Sequence, residues 1–130
     1  MIRSTLCICA GACLGAVLRW LAGRALNPLI PVLPLGTLAV NLFGGYLIGF
    51  ALGIFAHFPG ISELWRLFVI TGFLGALTTF STFSAEVVLL LQEGRIFPGL
   101  LLIFLHLVGS LGMTLLGAGS SALLWPARQG

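Results

Sequence analysis

Charge is what this chain most lacks: only 7% of its 130 residues are charged, six arginines against three acids, and there is no lysine. An ordinary soluble domain is about one quarter charged, so no water-facing surface of that kind can be built from this composition. The formal net charge of +3 is scattered singly, without a basic patch, a stripe or aromatic-basic interleaving, which argues against a nucleic-acid partner. Cysteine is scarce too. Cys7, Cys9 and Cys13 fall within the first apolar segment, with no CxxC pair and no distant histidine set to complete a metal site, and read as small apolar packing residues. No carboxylate pair, Ser-His-Asp order, phosphate loop or metal-spaced histidines appear, so catalysis has no visible machinery and the chain does not read as an enzyme.

What is present is apolar: 59% of the residues are hydrophobic and 18 are glycine, a combination suited to close helix packing in lipid. Four hydrophobic runs, at about residues 4 to 25, 35 to 56, 66 to 92 and 96 to 124, each reach the roughly 20 residues a span needs. They are separated by Asn27-Pro28 through Pro34, by His57-Phe58-Pro59-Gly60 with Ser62-Glu63, and by Gln92-Glu93-Gly94-Arg95 with Pro98. The apolar residues run continuously and do not alternate, which favours a helical bundle over a barrel. The expected fold is one all-α membrane domain over residues 1–130 with four transmembrane helices. The Ala10-Gly11-Ala12 triplet superficially suggests a cleaved leader, but the apolar core before it is too short and the run continues to Leu18.

Gly45, Gly49 and Gly53 recur every fourth residue of the second span, and Gly11 and Gly15 do so in the first, giving flat faces for a neighbouring backbone. Arginine placement gives almost no orientation bias. Arg3, Arg66 and Arg128 lie on one side, Arg24 and Arg95 on the other, with Arg19 one turn deeper toward that second side. Four helices are few for enclosing a pathway, so an antiparallel, dual-topology homodimer is inferred; the alternative is a single orientation set by other factors.

The working part is expected in the third span, where five Ser or Thr residues lie between Thr78 and Ser84 together with Phe80 and Phe83. Hydroxyls and glycines at bilayer depth are tolerated where they meet protein or line a wet path. Gly72, Gly75 and the β-branched Thr78, Thr79 and Thr82 weaken helical continuity, so a break is expected near residues 75 to 80, where freed carbonyls could hold a small cation. The alternative is a merely kinked helix. Phe80 and Phe83 can project to one side and turn electropositive ring edges toward an anion, or simply pack in the core. Asn41, in the second span, offers two N–H donors to an anion or an interhelical hydrogen bond. In the fourth span His106, Ser110 and Thr114 form a polar stripe continued by Gly117 and Ser121; such hydroxyls either line a path or bond back to their own helix. Glu86 and Arg19 are the deepest charges, and Glu86, about six residues or roughly 9 Å from its helix end, can be satisfied by a vestibule or a salt bridge.

Gly15-Ala16 leading to Arg19-Trp20, the run Gly36-Thr37-Leu38-Ala39-Val40-Asn41-Leu42-Phe43-Gly44, and Gly72-Phe73-Leu74-Gly75-Ala76-Leu77-Thr78-Thr79-Phe80-Ser81-Thr82-Phe83 together resemble the Fluc (CrcB) fluoride channel family. The resemblance covers essentially the whole chain. It implies a dual-topology antiparallel dimer in the bacterial inner membrane, with two fluoride pores along the subunit boundary and a structural Na+ at the dimer centre. By position, the Na+ would be held by the backbone carbonyls of Gly75 and Thr78. Phe80 and Phe83 would turn ring edges toward fluoride, Asn41 would donate near a vestibule, and Ser110 and Thr114 would form a polar track, with Thr82 and Glu86 as further pore contributors. A small dual-topology multidrug exporter would share the four short-looped helices but needs a mid-membrane carboxylate, for which Glu86 is the sole candidate and lies toward a helix end. A noncatalytic packing subunit of a larger complex is the other rival.

Overall fold

A computed structural model describes residues 1–126; Arg128, counted above among the arginines, lies outside them. The described chain is helical: α1 (Ile2–Leu26), α2 (Leu35–His57), α3 (residues 63–77), α4 (Phe80–Gln92) and α5 (Ile96–Leu124). With α3 and α4 taken as one span, Glu63–Gln92, four segments are long and apolar enough to cross a membrane. Two boundaries differ from expectation. The first span begins at Ile2, and the third begins at Glu63, because a glutamate in a helix's first turn is favoured by the unpaired N–H groups there. Arg66, read from the sequence as a loop-side charge, sits one turn inside α3 and donates from Nη2 to the Phe55 carbonyl at 3.0 Å, satisfying the C-terminal end of α2.

Local chemistry sets the turns. Pro28 ends α1, and the Asn27 Oδ1 accepts the Gly36 N–H at 2.7 Å, tying the loop to the first turn of α2. After α4, Gly94 adopts φ 74° while the Arg95 N–H returns to the Leu90 carbonyl at 2.9 Å, the left-handed termination that glycine permits.

Glycines decide which helices touch. A Cβ on Gly45 would lie 3.0 Å from the Ser110 carbonyl, and one on Gly49 or Gly117 would overlap backbone of the facing helix, so α2 and α5 pack backbone against backbone. Gly11, Gly15 and Gly72 do the same between α1 and α3, where a Cβ on Gly11 would come within 2.8 Å of the Phe73 nitrogen. Over Leu67–Leu74 the turns of α3 widen to π-helical geometry along this contact. The remaining interior is apolar: Phe83, Val87, Leu90 and the fully buried Leu102 join α4 to α5, and Val40, Leu74 and Leu77 join α2 to α3. Large apolar side chains such as Leu111, Leu115 and Phe104 stay exposed on the outside, which suits a lipid surround. Cys9 and Cys13 belong to that outer surface, so the packing expected of them is not what they do; only Cys7 is half-buried.

Candidate functional site

Between α3 and α4 the backbone leaves the helical region for two residues. Thr78 (φ −79°, ψ 156°) and Thr79 (φ −153°, ψ 119°) are extended, and the helix resumes at Phe80. Every backbone polar group set free at membrane depth needs a partner. The Thr79 N–H, which a continuing helix would give to the Gly75 carbonyl, goes instead to the Asn41 Oδ1 at 2.7 Å. The Thr82 N–H, which would go to the Thr78 carbonyl, is taken by the Thr79 hydroxyl at 3.1 Å, an N-cap that starts α4. Two more side chains reach the link from other helices: Arg19 of α1 donates from Nε to the Ala76 carbonyl at 3.0 Å, and the Asn41 amide donates to the Thr79 carbonyl at 2.9 Å. Side chains from 38 and 57 residues away thus bond to the backbone of the link. The carbonyls of Gly75 and Thr78 are among those whose helical donors are lost at this break.

A groove of about 540 Å³ opens beside this link, lined among others by Asn41, Gly75, Thr78, Phe80, Phe83, His106 and Ser110. Asn41 makes a third bond there, its second N–H meeting His106 Nδ1 at 3.0 Å. Both of its donors are therefore held by protein, the interhelical arrangement. The Phe80 and Phe83 rings stand edge to face, centroids 5.4 Å apart at 72°. Their settings differ sharply: Phe80 is 72% exposed, whereas Phe83 is 6% exposed and stacks on the His106 ring at 4.3 Å.

Not every expected residue lines the groove. Thr82 accepts from the Thr79 hydroxyl at 3.0 Å and is not among the residues lining the groove. Thr114 lies one turn beyond Ser110 in the α2/α5 contact and donates to the Ser110 carbonyl at 2.9 Å; Ser121 likewise donates to the Ala118 carbonyl at 2.8 Å. Those two hydroxyls bond back to their own helix. Glu86 faces a separate hollow of about 230 Å³ under the α1–α2 loop, with Pro31, Glu93 and Arg95. It accepts from the Thr37 hydroxyl at 2.5 Å, and no salt bridge forms: the ion pair among the described residues is Arg95 with Glu93 at 3.4 Å.

Sequence reasoning missed two participants. Thr37, 6% exposed, is the partner of Glu86, and its place one turn before Asn41 on the same helix face was an available signal. In the sequence Gly44 stands out only as the last residue of the second motif, yet a Cβ there would overlap the Thr78 methyl. Nothing local announces that contact. No cluster of three or more His, Cys, Asp or Glu residues able to hold a metal occurs among the described residues.

Fold and site define a helical membrane protein whose third span carries a side-chain-bonded link facing a groove of neutral donors and aromatic rings. The chain belongs to the CrcB-like protein, Camphor Resistance (CrcB), family, whose profile matches residues 6–118. Similar proteins carry the name fluoride-specific ion channel FluC. One from Chromobacterium violaceum is 57% identical over 120 residues, covering 92% of this chain and 95% of its own length. One from Tolumonas auensis is 56% identical over 124 residues, covering 95% and 98%. One from Pseudomonas paraeruginosa is 60% identical over 117 residues, covering 90% and 92%.

Proposed function

We propose that this chain is a fluoride-selective channel that lets fluoride leave the cell passively across the bacterial inner membrane, lowering its cytoplasmic concentration and toxicity. The observation that carries the reading is the groove itself, where uncharged polar side chains and the Phe80 and Phe83 rings come together beside the Thr78–Thr79 link. Fluoride is small and tightly hydrated, so a path must replace its water with other donors; a fixed positive charge would hold it too long. The groove offers the Ser110 hydroxyl, the imidazole of His106 and the rings of Phe80 and Phe83, and none of its lining residues is Arg, Asp or Glu. Relatives 56 to 60% identical along nearly their whole length bear the fluoride-channel name, which supports the same conclusion.

The pathway runs along the groove by Asn41, Phe80, Phe83 and Ser110; Thr82 and Thr114 do not line it, and Glu86, bonded to Thr37, belongs to a separate hollow. The third span acts as a discontinuous helix, and two copies of the chain associate antiparallel, inserted in both orientations. In that dimer the Gly75 and Thr78 carbonyls would hold a structural Na+ ion. What supports this is that these carbonyls have lost their helical donors to Asn41 and Thr79 and are hard oxygen ligands. When bound, the ion supplies positive charge that offsets the converging carbonyl dipoles.

Liposomes loaded with fluoride and containing the purified protein should lose it rapidly once a potassium ionophore is added, while chloride-loaded vesicles keep their chloride. A folded protein that releases no fluoride would overturn the reading. A terminal tag reached from both sides of the membrane tests dual insertion, and one-sided access would refute it.

A further inference from the structure

His106 is 3% exposed, and its ring is held on one face by Phe83 at 4.3 Å. Its two nitrogens are in opposite situations. Nδ1 lies 3.0 Å from the Asn41 amide nitrogen, whereas Nε2 is buried without any partner. The orientation of the Asn41 amide follows from chemistry: the Thr79 N–H at 2.7 Å can only donate, so the atom facing it is Oδ1 and the atom facing His106 is the NH2. An N–H pointing at Nδ1 requires a lone pair there, which places the ring proton on Nε2. A buried N–H with no acceptor is costly and rare in folded proteins, and it asks for an explanation. His106 lines the groove beside Phe80, Phe83 and Ser110.

We propose that Asn41 is a positioning residue that fixes His106 as its neutral Nε2–H tautomer, and that this otherwise unpartnered N–H is a hydrogen-bond donor to fluoride in the groove. The second half rests on the fluoride reading above; the first half does not. Both N–H groups of Asn41 already have protein acceptors, so the amide acts on the ion through the imidazole, which presents one donor and no net charge. Free choice of tautomer would leave part of the population with a lone pair toward the anion, a repulsive contact. Phe83 contributes by holding the ring plane.

Nitrogen-15 NMR of histidine-labelled protein in lipid nanodiscs tests the lock, with His57→Gln assigning the only other histidine. His106 should show an unprotonated Nδ1 and a protonated Nε2, and added sodium fluoride, unlike sodium chloride, should shift the Nε2–H signal. Asn41→Asp keeps an acceptor for the Thr79 N–H but turns an acceptor toward His106, so Nδ1 should become the protonated nitrogen. In liposomes, His106→Phe keeps a ring against Phe83 but has no donor, and should lower fluoride flux about fivefold, the loss of one ordinary hydrogen bond. His106→Gln, with an amide oxygen for Asn41 and an N–H for the ion, should recover most of it. A protonated Nδ1 in the unaltered protein, or an unchanged tautomer in Asn41→Asp, overturns the lock. Wild-type flux from His106→Phe overturns the donor role. If the unaltered protein moves no fluoride, the functional reading and the donor role fall together, while the nitrogen shifts still decide the lock.

Discussion

The contact between α2 and α5 and the link at Thr78–Thr79 are made from the same kinds of residue, glycine and hydroxyl, to opposite effect. In the contact, Gly45, Gly49 and Gly117 bring backbones together, and Thr114 and Ser121 return their hydroxyl protons to carbonyls of their own helix. At the link, Gly75 and Thr78 sit where helical bonds have been redirected to Asn41 and to the Thr79 hydroxyl. The number of hydroxyls in a membrane helix therefore does not mark a site. What marks it is where the backbone hydrogen bonds go, because a group without a local partner in the bilayer draws one from another helix.

The sharpest way to break this comparison is to attack each side. Gly49→Val places a side chain against the Thr114 carbonyl, with no soft atom to yield, and should abolish folded protein, seen as loss of the native peak in size exclusion. A variant eluting and melting like the parent would mean the contact is not backbone on backbone. Asn41→Ala leaves the Thr79 N–H and carbonyl without their side-chain partners and should cost about 2 to 4 kcal/mol, lowering the melting temperature and fluoride flux together. Retained flux would show that the link holds its shape without the amide.

Smaller effects sharpen the picture. Phe80→Ile and Phe83→Ile should each reduce fluoride flux with the assembly intact. Phe83→Ile should also lose about 1 kcal/mol of stability, because Phe83 is packed at 6% exposure and Phe80 is open at 72%. Equal stability losses would contradict their different settings, and unchanged flux in both would remove the ring-edge role. Arg19→Leu removes one bond to the Ala76 carbonyl and should cost about 1 kcal/mol in thermal unfolding. Smallest of all, Ser120→Ala deletes a hydroxyl that only bonds back to Leu116, and should stay within about 0.5 kcal/mol of the parent.

Much of the architecture was legible because the bilayer makes few demands and the sequence meets them openly. Long apolar runs, Asn27-Pro28, Pro59-Gly60 and Gly94 marked spans and turns within a few residues, and the every-fourth-residue glycines of the second span marked a packing face. Glu63 reads from the sequence as part of the separator before the third run, although the first turn of a helix welcomes a glutamate. At the site, Asn41, Phe80, Phe83 and Ser110 could be picked out singly as odd residues in apolar surroundings, and the groove holds all four. Thr114 and Glu86 could be picked out too but lie elsewhere, since residue type and helical spacing say which side chains share a face and not what faces them.

Composition, run length and turn residues by themselves determined that this is a helical membrane protein of four spans, because hydrophobic length and backbone satisfaction in lipid are local requirements. Only the tertiary structure decided that Asn41 takes the Thr79 N–H, that Arg19 answers the Ala76 carbonyl, that Thr37 meets Glu86, and that His106 has one nitrogen engaged and one free. Each of those bonds joins helices 38 to 65 residues apart in the chain, and such partners are chosen by which faces the glycines allow to touch.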